Sequence, residues 1–420
     1  MSRFVASLVL TLAVLLPLPA LAAGLPTARP EEVGLSSARL ARIERTLRAD
    51  VDKGRIPGAV VLVARKGRVG YLTSVGLRDP NSQAPMTPDA IFAIASMTKP
   101  MTSVAAMMLY EEGRLLVSDP VSKYLPAMGK MQVGVERTDA TGKTTVHLVP
   151  VEREMTIQDL LRHTSGLTYN NRGTTAVHKL YPDTPAVRSA GPDEFIALLA
   201  KAPLRFQPGT KWEYSHATDV LGRVVEVVAG TTLGAFLQER VWTPLKMTDT
   251  AFRVPADKQA RLARPFDKDP DTGKAPSIRD VTTPPKFECG GGCAVSTVAD
   301  YSRFAQMLLN RGSLDGARIL GRKTVEYMTT DHLGPEVVRG GDYSPGGGYG
   351  FGLGFAVRTS DGVANTNGST GDFNWGGAYG TYFWVDPKEQ LVVVSMTQAP
   401  GPIRVHYRQL IRGLVLQALD

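Results

Sequence analysis

The chain has 420 residues, 43% of them hydrophobic and 21% charged, enough to bury a substantial core and unlike a disordered or fibrous sequence. Lys and Arg number 48 against 40 Asp and Glu, for a formal charge of +8. The basic residues are scattered, without the run of about five or six that marks a nucleic-acid tract, so they read as a solvated basic surface.

Residues 1–22 have the pattern of an export signal. Arg3 supplies the positive start, Phe4 to Leu16 the apolar core and Ala20-Leu21-Ala22 a small-residue cleavage site. That core is shorter than the roughly 20 residues a membrane span needs, and no later segment offers one. The expected product is one domain, 23–420, in the periplasm or medium. The chain has 2 cysteines, Cys289 and Cys293, flanking Gly290-Gly291-Gly292. In an oxidising compartment they could close a small disulfide ring; the alternative is a pair of free thiols. No metal site is expected, because two sulfurs need further ligands and no histidine cluster lies nearby.

In chain order, Ser36 or Ser37 can cap a helix in which Leu40, Ile43, Leu47 and Val51 recur at helical spacing. Gly58 to Arg65 and Val69 to Val75 read as two strands turned by Lys66-Gly67. A short apolar run, Ala90 to Ala95, opens a helix with Val104, Ala105, Met108 and Leu109 on one stripe, ending near Gly113. A polar two-stranded excursion is expected around Asp139 to Lys143. From Thr156 to Trp242 the signal is mainly helical, with a capping box at Thr156 and Asp159 and an apolar stripe from Val220 to Val228 that stops at Gly230. Phe252 to Phe287 looks like a long surface loop. Ser296-Thr297 precede another helix, and strands return at Tyr379 to Val385 and Leu391 to Met396 before a closing helix from about Arg404 to Leu419. Strands at both ends with helices between predict a mixed, mainly antiparallel sheet built from both termini, flanking helices, and a helical region inserted at about 110–290: an α+β fold.

The chemistry centres on Ser96 and Lys99. A serine in the first turn of a helix lies beside unpaired N–H groups and the positive dipole end, and a lysine three residues on shares its face. A serine hydroxyl must lose its proton as it attacks, and a lysine can take it only where burial and neighbours lower its pKa from about 10.4. S-x-x-K occurs roughly once by chance in a chain this long, and a capping serine followed by a solvated lysine would look the same. Two tyrosines compete for a proton shuttle to the leaving group: Tyr169, in Tyr169-Asn170-Asn171, and Tyr214, in Trp212-Glu213-Tyr214-Ser215-His216.

Further motifs occur in order: His163-Thr164-Ser165-Gly166-Leu167, Pro208-Gly209-Thr210, Pro244-Leu245 with Met247, Ser296-Thr297 with Asp300-Tyr301, and Trp375-Gly376-Gly377. Together with Ser96 and Lys99 they resemble the serine β-lactamase-like superfamily with its β-lactamase/transpeptidase-like fold, in particular class C β-lactamases and, more closely, family VIII carboxylesterases. The resemblance runs from about Gly34 to the C-terminus. It implies that Tyr214 is the second-motif tyrosine, with Tyr169 a decoy despite its literal Y-x-N, and that His216 stands where β-lactamases and penicillin-binding proteins usually have asparagine. An imidazole cannot copy an amide's paired donor and acceptor. Where those relatives have Lys-Thr-Gly, this chain has Trp375-Gly376-Gly377, so a carboxylate-holding cation gives way to an apolar surface. Losing such a charge-assisted bond should cost about 1.5 to 3 kcal/mol in binding a carboxylate, and a neutral acyl group loses nothing. Glycines at 376 and 377 would let substrate approach the strand edge. The resemblance also implies an oxyanion hole from the N–H groups of Ser96 and Ala378.

The expected activity is therefore hydrolysis of a small-molecule carboxylic ester, with a small or short acyl group, through an acyl-enzyme. Ser96 is the nucleophile, Lys99 and Tyr214 share the proton work, and Trp375, Gly376, Gly377, His216 and Tyr169 line the substrate site. No metal or organic cofactor, nucleic acid or membrane span enters this scheme. A β-lactamase or D,D-peptidase is the alternative within the same mechanism, and a silent relative that binds cell-wall fragments is the alternative outside it. Export is checked by N-terminal sequencing of the protein recovered outside the cytoplasm: the first residue should lie near Ala23, and an intact Met1 there would exclude cleavage.

Overall fold

The computed structural model describes residues 24–420, so the export signal at 1–22 lies outside the described residues. Its central feature is an 8-stranded sheet in the order Tyr349–Phe351, Ala356–Arg358, Phe373–Gly376, Tyr382–Asp386, Leu391–Thr397, Gly58–Arg65, Arg68–Asp79, Ala84–Pro85. Every pairing in this sheet is antiparallel; a parallel contribution comes from the isolated bridge between Thr27 and Val69. The two ends of the chain meet where Gly58–Arg65 pairs with Leu391–Thr397, with Val61 opposite Ser395.

Side chains alternate across a strand, and here both faces are covered. Val60, Leu62 and Ala64 enter one core, while Ala59, Val61 and Val63 enter the other. The second core is closed by two helices, Ser37–Asp52 and Ile403–Leu416. Leu40, Ile43 and Leu47 of the first pack in one cluster with Tyr407, Ile411 and Val415 of the second. Ser36 caps the first helix by accepting from the N–H of Arg39.

The larger core lies on the other face. The helix Thr98–Glu111 carries it, and every residue from Thr98 to Leu109 is buried. The expected stripe of Val104, Ala105, Met108 and Leu109 is thus only part of its contact surface. The helix packs against Ala217–Ala229 and Leu233–Leu237 and shares one large apolar cluster with Val298–Leu309, the helix that lies on the sheet. Between Glu111 and Val295 the chain forms the hairpin Val133–Thr138 with Thr144–Val149, a set of helices including Ile157–Leu161 and Pro192–Ala200, and a long irregular stretch whose one regular turn is Ala256–Arg261. The expected strand from Tyr379 begins instead at Tyr382, because the N–H of Gly377 bonds to the carbonyl of Thr381 at 2.8 Å and spends Ala378 to Gly380 on a turn.

Asp372, wholly buried, joins the closing helix to the far side of the sheet. It accepts from Arg358 Nε at 2.9 Å and from the guanidinium of Arg412, both also buried. Removing the shared carboxylate leaves two buried cations uncompensated, which in such networks costs about 3–5 kcal/mol. Asp372→Ala should lower the unfolding free energy by that amount in a denaturant titration; a loss under about 1 kcal/mol would show the guanidiniums solvated elsewhere.

Candidate active site

Ser96 occupies the turn Ala95–Met97 that leads into the Thr98–Glu111 helix. The turn is entered through Ala95 at φ +44°, a left-handed conformation that a Cβ disfavours and the surroundings must hold. They do so from three sides. Thr98 Oγ1 donates to the carbonyl of Ala95 at 2.7 Å and accepts from the N–H of Ala294 at 3.1 Å. Tyr301 donates to the carbonyl of Met97 at 2.8 Å, and Thr381 Oγ1 to that of Ile94 at 3.0 Å. The short pair of Phe92–Ala93 with Val295–Ser296 fixes the approach.

One turn on, Lys99 is only 2% exposed. A buried ammonium or amine is costly unless its N–H groups find acceptors. Lys99 Nζ donates to the carbonyl of Gly291 at 2.6 Å and to the hydroxyl of Tyr169 at 3.3 Å, and lies 4.6 Å from the centre of the Tyr214 ring. Two of its tetrahedral positions are thereby used and one remains.

Tyr214 reaches this point because two sequence motifs pair with each other. The N–H of Gly209 bonds to the carbonyl of Thr164, that of Glu213 to His163, and that of Arg205 to Gly166, at 2.7, 2.9 and 2.7 Å. Thr168 Oγ1 donates to Glu213 Oε1 at 2.7 Å. A Cβ at Gly166 would sit 2.3 Å from the carbonyl oxygen of Phe206, so glycine is required for this approach. Tyr214 is then packed against His163 and Trp375, with ring centres 4.8 and 5.4 Å away, and the Arg172 guanidinium lies 5.7 Å over its ring. Its hydroxyl is buried without a hydrogen-bond partner. Burial, with the charges of Lys99 and Arg172, pushes His163 well below the usual imidazole range, so it stays neutral.

Tyr169 stands in the site beside Lys99. It holds Lys99, and burial with the nearby Asp219 charge pushes its phenol well above the usual range, so it remains protonated. His216 faces it, ring centres 4.2 Å apart, and its Nδ1 is committed to Asp219 Oδ2 at 2.9 Å. Burial would raise Asp219, but the His216 hydrogen bond, the His216 and Lys99 charges and the Gly291 N–H together hold it below the usual carboxylate range. His216 therefore braces a carboxylate; Tyr169 and His216 both still line the cleft.

Trp375, 7% exposed, and Ala378 line the cleft with Ser96. The glycines beside them serve the protein's own packing: a Cβ on Gly377 would lie 2.3 Å from the Ile94 carbonyl oxygen, and one on Gly376 2.5 Å from the Arg408 guanidinium carbon. Gly377 thus lets the end of this strand close on the nucleophile turn, and Gly376 lines the hollow with Ser96 and Trp375. The N–H groups of Ser96 and Ala378 have no partner among the described residues.

Sequence reasoning missed the loop that holds Lys99. Cys289 and Cys293 are joined in a disulfide around the three glycines. Inside that ring the Gly290 carbonyl accepts from Thr102 Oγ1 at 2.9 Å, the Gly291 N–H donates to Asp219 Oδ1 at 2.7 Å, and the Gly291 carbonyl receives Lys99. The scattered basic residues also converge. A ≈250 Å³ hollow at Ser96, Trp375 and Ala378 is flanked by Arg172, Arg404 and Arg408, and a ≈410 Å³ hollow on the other side of Ser96 by Arg172, Arg279 and Arg404. Part of the basic surface is therefore a cleft wall, a convergence that linear spacing does not reveal. Among the described residues no group of three or more His, Cys, Asp or Glu side chains is placed to hold a metal ion.

Known proteins share this fold. The Beta-lactamase family model matches residues 43–416. Protein Rv1367c of Mycobacterium tuberculosis is 37% identical over 364 residues, 84% of this chain and 89% of that one. Esterase EstB of Burkholderia gladioli is 30% identical, covering 91% and 97% of the two chains. Among solved structures, EstCE1, a hydrolase with promiscuous acyltransferase activity, superposes with a TM-score of 0.75 at 29% identity over 90% of this chain and 98% of its own. A class C beta lactamase from Rhodobacter sphaeroides shares the fold, with a TM-score of 0.64 at 20% identity over 91% and 100%.

The disulfide ring is the structural support of the Lys99 acceptor. Reduction, or the paired change Cys289→Ser with Cys293→Ser, should lower turnover of an activated ester about 10- to 100-fold, the scale of a small misplacement at a reacting centre. A thermal unfolding scan run alongside separates this from global unfolding. Full turnover in the reduced, folded protein would show that Asp219 alone positions Gly291.

Proposed function

The chain belongs to the Beta-lactamase family, and on that premise we propose that it is an exported serine carboxylesterase that cleaves small or short-chain esters through an acyl-enzyme. The observation that carries this reading is the buried Lys99 amine, held between the Gly291 carbonyl and Tyr169, beside the Tyr214 ring and one turn from Ser96 at the cleft wall. An amine so fixed has one position left for proton exchange.

Ser96 Oγ attacks the ester carbonyl as its proton passes to Lys99 and Tyr214, which share the proton work. Charge developing on the carbonyl oxygen is met by the N–H groups of Ser96 and Ala378. The same proton goes to the departing alkoxide as the C–O bond breaks, leaving Ser96 acylated. Water then attacks that acyl carbon and loses a proton to the Lys99 and Tyr214 unit, which returns it to Ser96 Oγ as the acid leaves. Trp375 forms the apolar wall, and hollows of ≈250 and ≈410 Å³ suit small substrates. Esterase EstB and EstCE1 support ester over lactam chemistry. The pattern of residues 1–22 and the disulfide support export.

Purified protein should hydrolyse a short-chain nitrophenyl ester faster, in kcat/KM, than a chromogenic cephalosporin; the reverse order would make it a lactamase. Ser96→Ala should abolish fluorophosphonate labelling and cut kcat by about 10³-fold or more. Tyr214→Phe should cost about 10²–10⁴-fold. Wild-type protein that neither labels nor turns over would mark a silent binding relative.

A further inference from the structure

The ≈410 Å³ hollow on the disulfide side of Ser96 carries two cations that the reaction does not use. Arg188 comes from the helix Thr184–Ser189 and Arg279 from the long irregular stretch; both line the hollow and both are partly buried. Neither forms an ion pair among the described residues. The Arg279 guanidinium donates only to the disulfide, to Cys293 Sγ and, at 3.7 Å, to Cys289 Sγ, and sulfur is a weak acceptor. That of Arg188 has no hydrogen-bond partner among the described residues. Burial, and then the charge of Arg188, holds Arg279 below the usual guanidinium range, so the two like charges are near enough to repel. The carboxylates that could answer them are committed elsewhere. Asp219, the one Asp or Glu among the lining residues, accepts from His216 and from the Gly291 N–H. Asp280 accepts from Thr282 and Thr283, and Asp183 caps the Arg188 helix through the N–H of Ala186. Elsewhere in the chain even exposed arginines meet an acid, as Arg48 meets Glu44 and Arg322 meets Glu326. Two guanidiniums without a counter-ion at one hollow suit an oxyanion that takes charge-assisted, bidentate bonds from them. Pro182, Val187 and the disulfide line the same hollow and offer apolar surface to a short alkyl stem.

We propose that one half of the ester ends in a carboxylate, held by Arg188 and Arg279 beside the disulfide while the ester carbonyl lies at Ser96. This deepens, and rests on, the reading of Ser96 as an esterase nucleophile. The substrate class is then a monoester of a dicarboxylic acid, or an ester whose alcohol ends in a carboxylate; the two share one chemistry, and matched substrates separate them. The site lies across Ser96 from Trp375 and belongs to the inserted region, not to the sheet or the closing helix. Arg404, which borders both hollows, is the control.

The test is kcat/KM by pH-stat for two pairs in which a methyl replaces a carboxylate: monomethyl adipate against methyl hexanoate, and γ-acetoxybutanoate against butyl acetate. In the wild type at least one anionic member should be favoured by about tenfold or more, the effect lying in KM and shrinking as salt is added. Arg188→Gln and Arg279→Gln should each reduce that preference about tenfold, and Arg188→Lys should restore part of it. Unfolding scans verify that each variant is folded; because Arg279 touches the disulfide, Arg188→Gln carries the test alone if the Arg279 variant is not. Calorimetric binding of adipate to the Ser96→Ala protein, lost when Arg188→Gln is added, reads the anion site independently of Ser96 chemistry. Hydrolysis of both members without preference overturns the proposal while the esterase reading stands. A preference that falls in Arg404→Gln and stands in the Arg188 and Arg279 variants puts the anion in the other hollow and overturns it equally. Adipate binding that needs Arg188, in a protein inert to these esters and to fluorophosphonate, keeps the anion site and overturns the esterase reading. Neither binding nor preference removes the anion site.

Discussion

A primary amine taken almost wholly out of water has to be met by acceptors, and Lys99 is met by a backbone carbonyl and a phenol. Much of the surrounding architecture follows from supplying them. The carbonyl belongs to Gly291, which must come within 2.6 Å of a helix far away in sequence. It can do so because its neighbours have no side chains: a Cβ on Gly290 would meet the Thr218 carbonyl at 2.7 Å, and one on Gly291 the Asp219 carboxylate at 2.4 Å. Three consecutive glycines would ordinarily be floppy, and the disulfide that encloses them removes that freedom. Asp219 then fixes the ring's orientation, and His216 fixes Asp219. A residue at the literal third position of a catalytic motif thus reaches the lysine through a series of three hydrogen bonds.

The phenol side is built differently. His163-Thr164-Ser165-Gly166-Leu167 and Pro208-Gly209-Thr210 contribute little of their own to the cleft. They bond to each other through main chain, and the product of that pairing is the placement of Tyr214. His163 at φ +60° and Ala95 at φ +44° are strained in the same sense, on either side of the site, and both are enclosed by hydrogen bonds that a relaxed backbone would not satisfy.

What could be read from the sequence was whatever had a local cause. Ser36, Thr156 and Thr297 each cap the helix that follows by accepting from an N–H three residues on, a pattern visible in any window of a few residues. Gly230 at φ +75° ends its helix for an equally local reason. Alternation and turn residues located the central strands to within a few positions. The Gly291 acceptor left no trace because a backbone carbonyl has no residue type. For Gly376 and Gly377 the sequence says only that a side chain is excluded, not which neighbour excludes it; that neighbour is Arg408 for Gly376 and Ile94 for Gly377. Periodicity likewise assigned one stripe to a helix that is buried all round.

Charge shows the same limit most plainly. Arg172, Arg279, Arg404 and Arg408 are separated by over a hundred residues in some pairs and form no run, so in the linear chain they are indistinguishable from solvated surface. In the folded chain they border one cleft, where a surface reading fails on energetic grounds: a guanidinium facing water needs no partner, but one set beside another in a partly closed hollow needs an anion or a reason to tolerate repulsion. The Gly377 carbonyl supplies part of that reason for Arg408, and the same contact ties the closing helix to the end of the strand that bears Trp375 and to the turn that bears Ala378. The strand edge that faces the nucleophile and the cations that overlook it are consequently one mechanical unit. A change in the closing helix can reach Ser96 through Gly377 and Ile94, a path made of one hydrogen bond and one van der Waals contact.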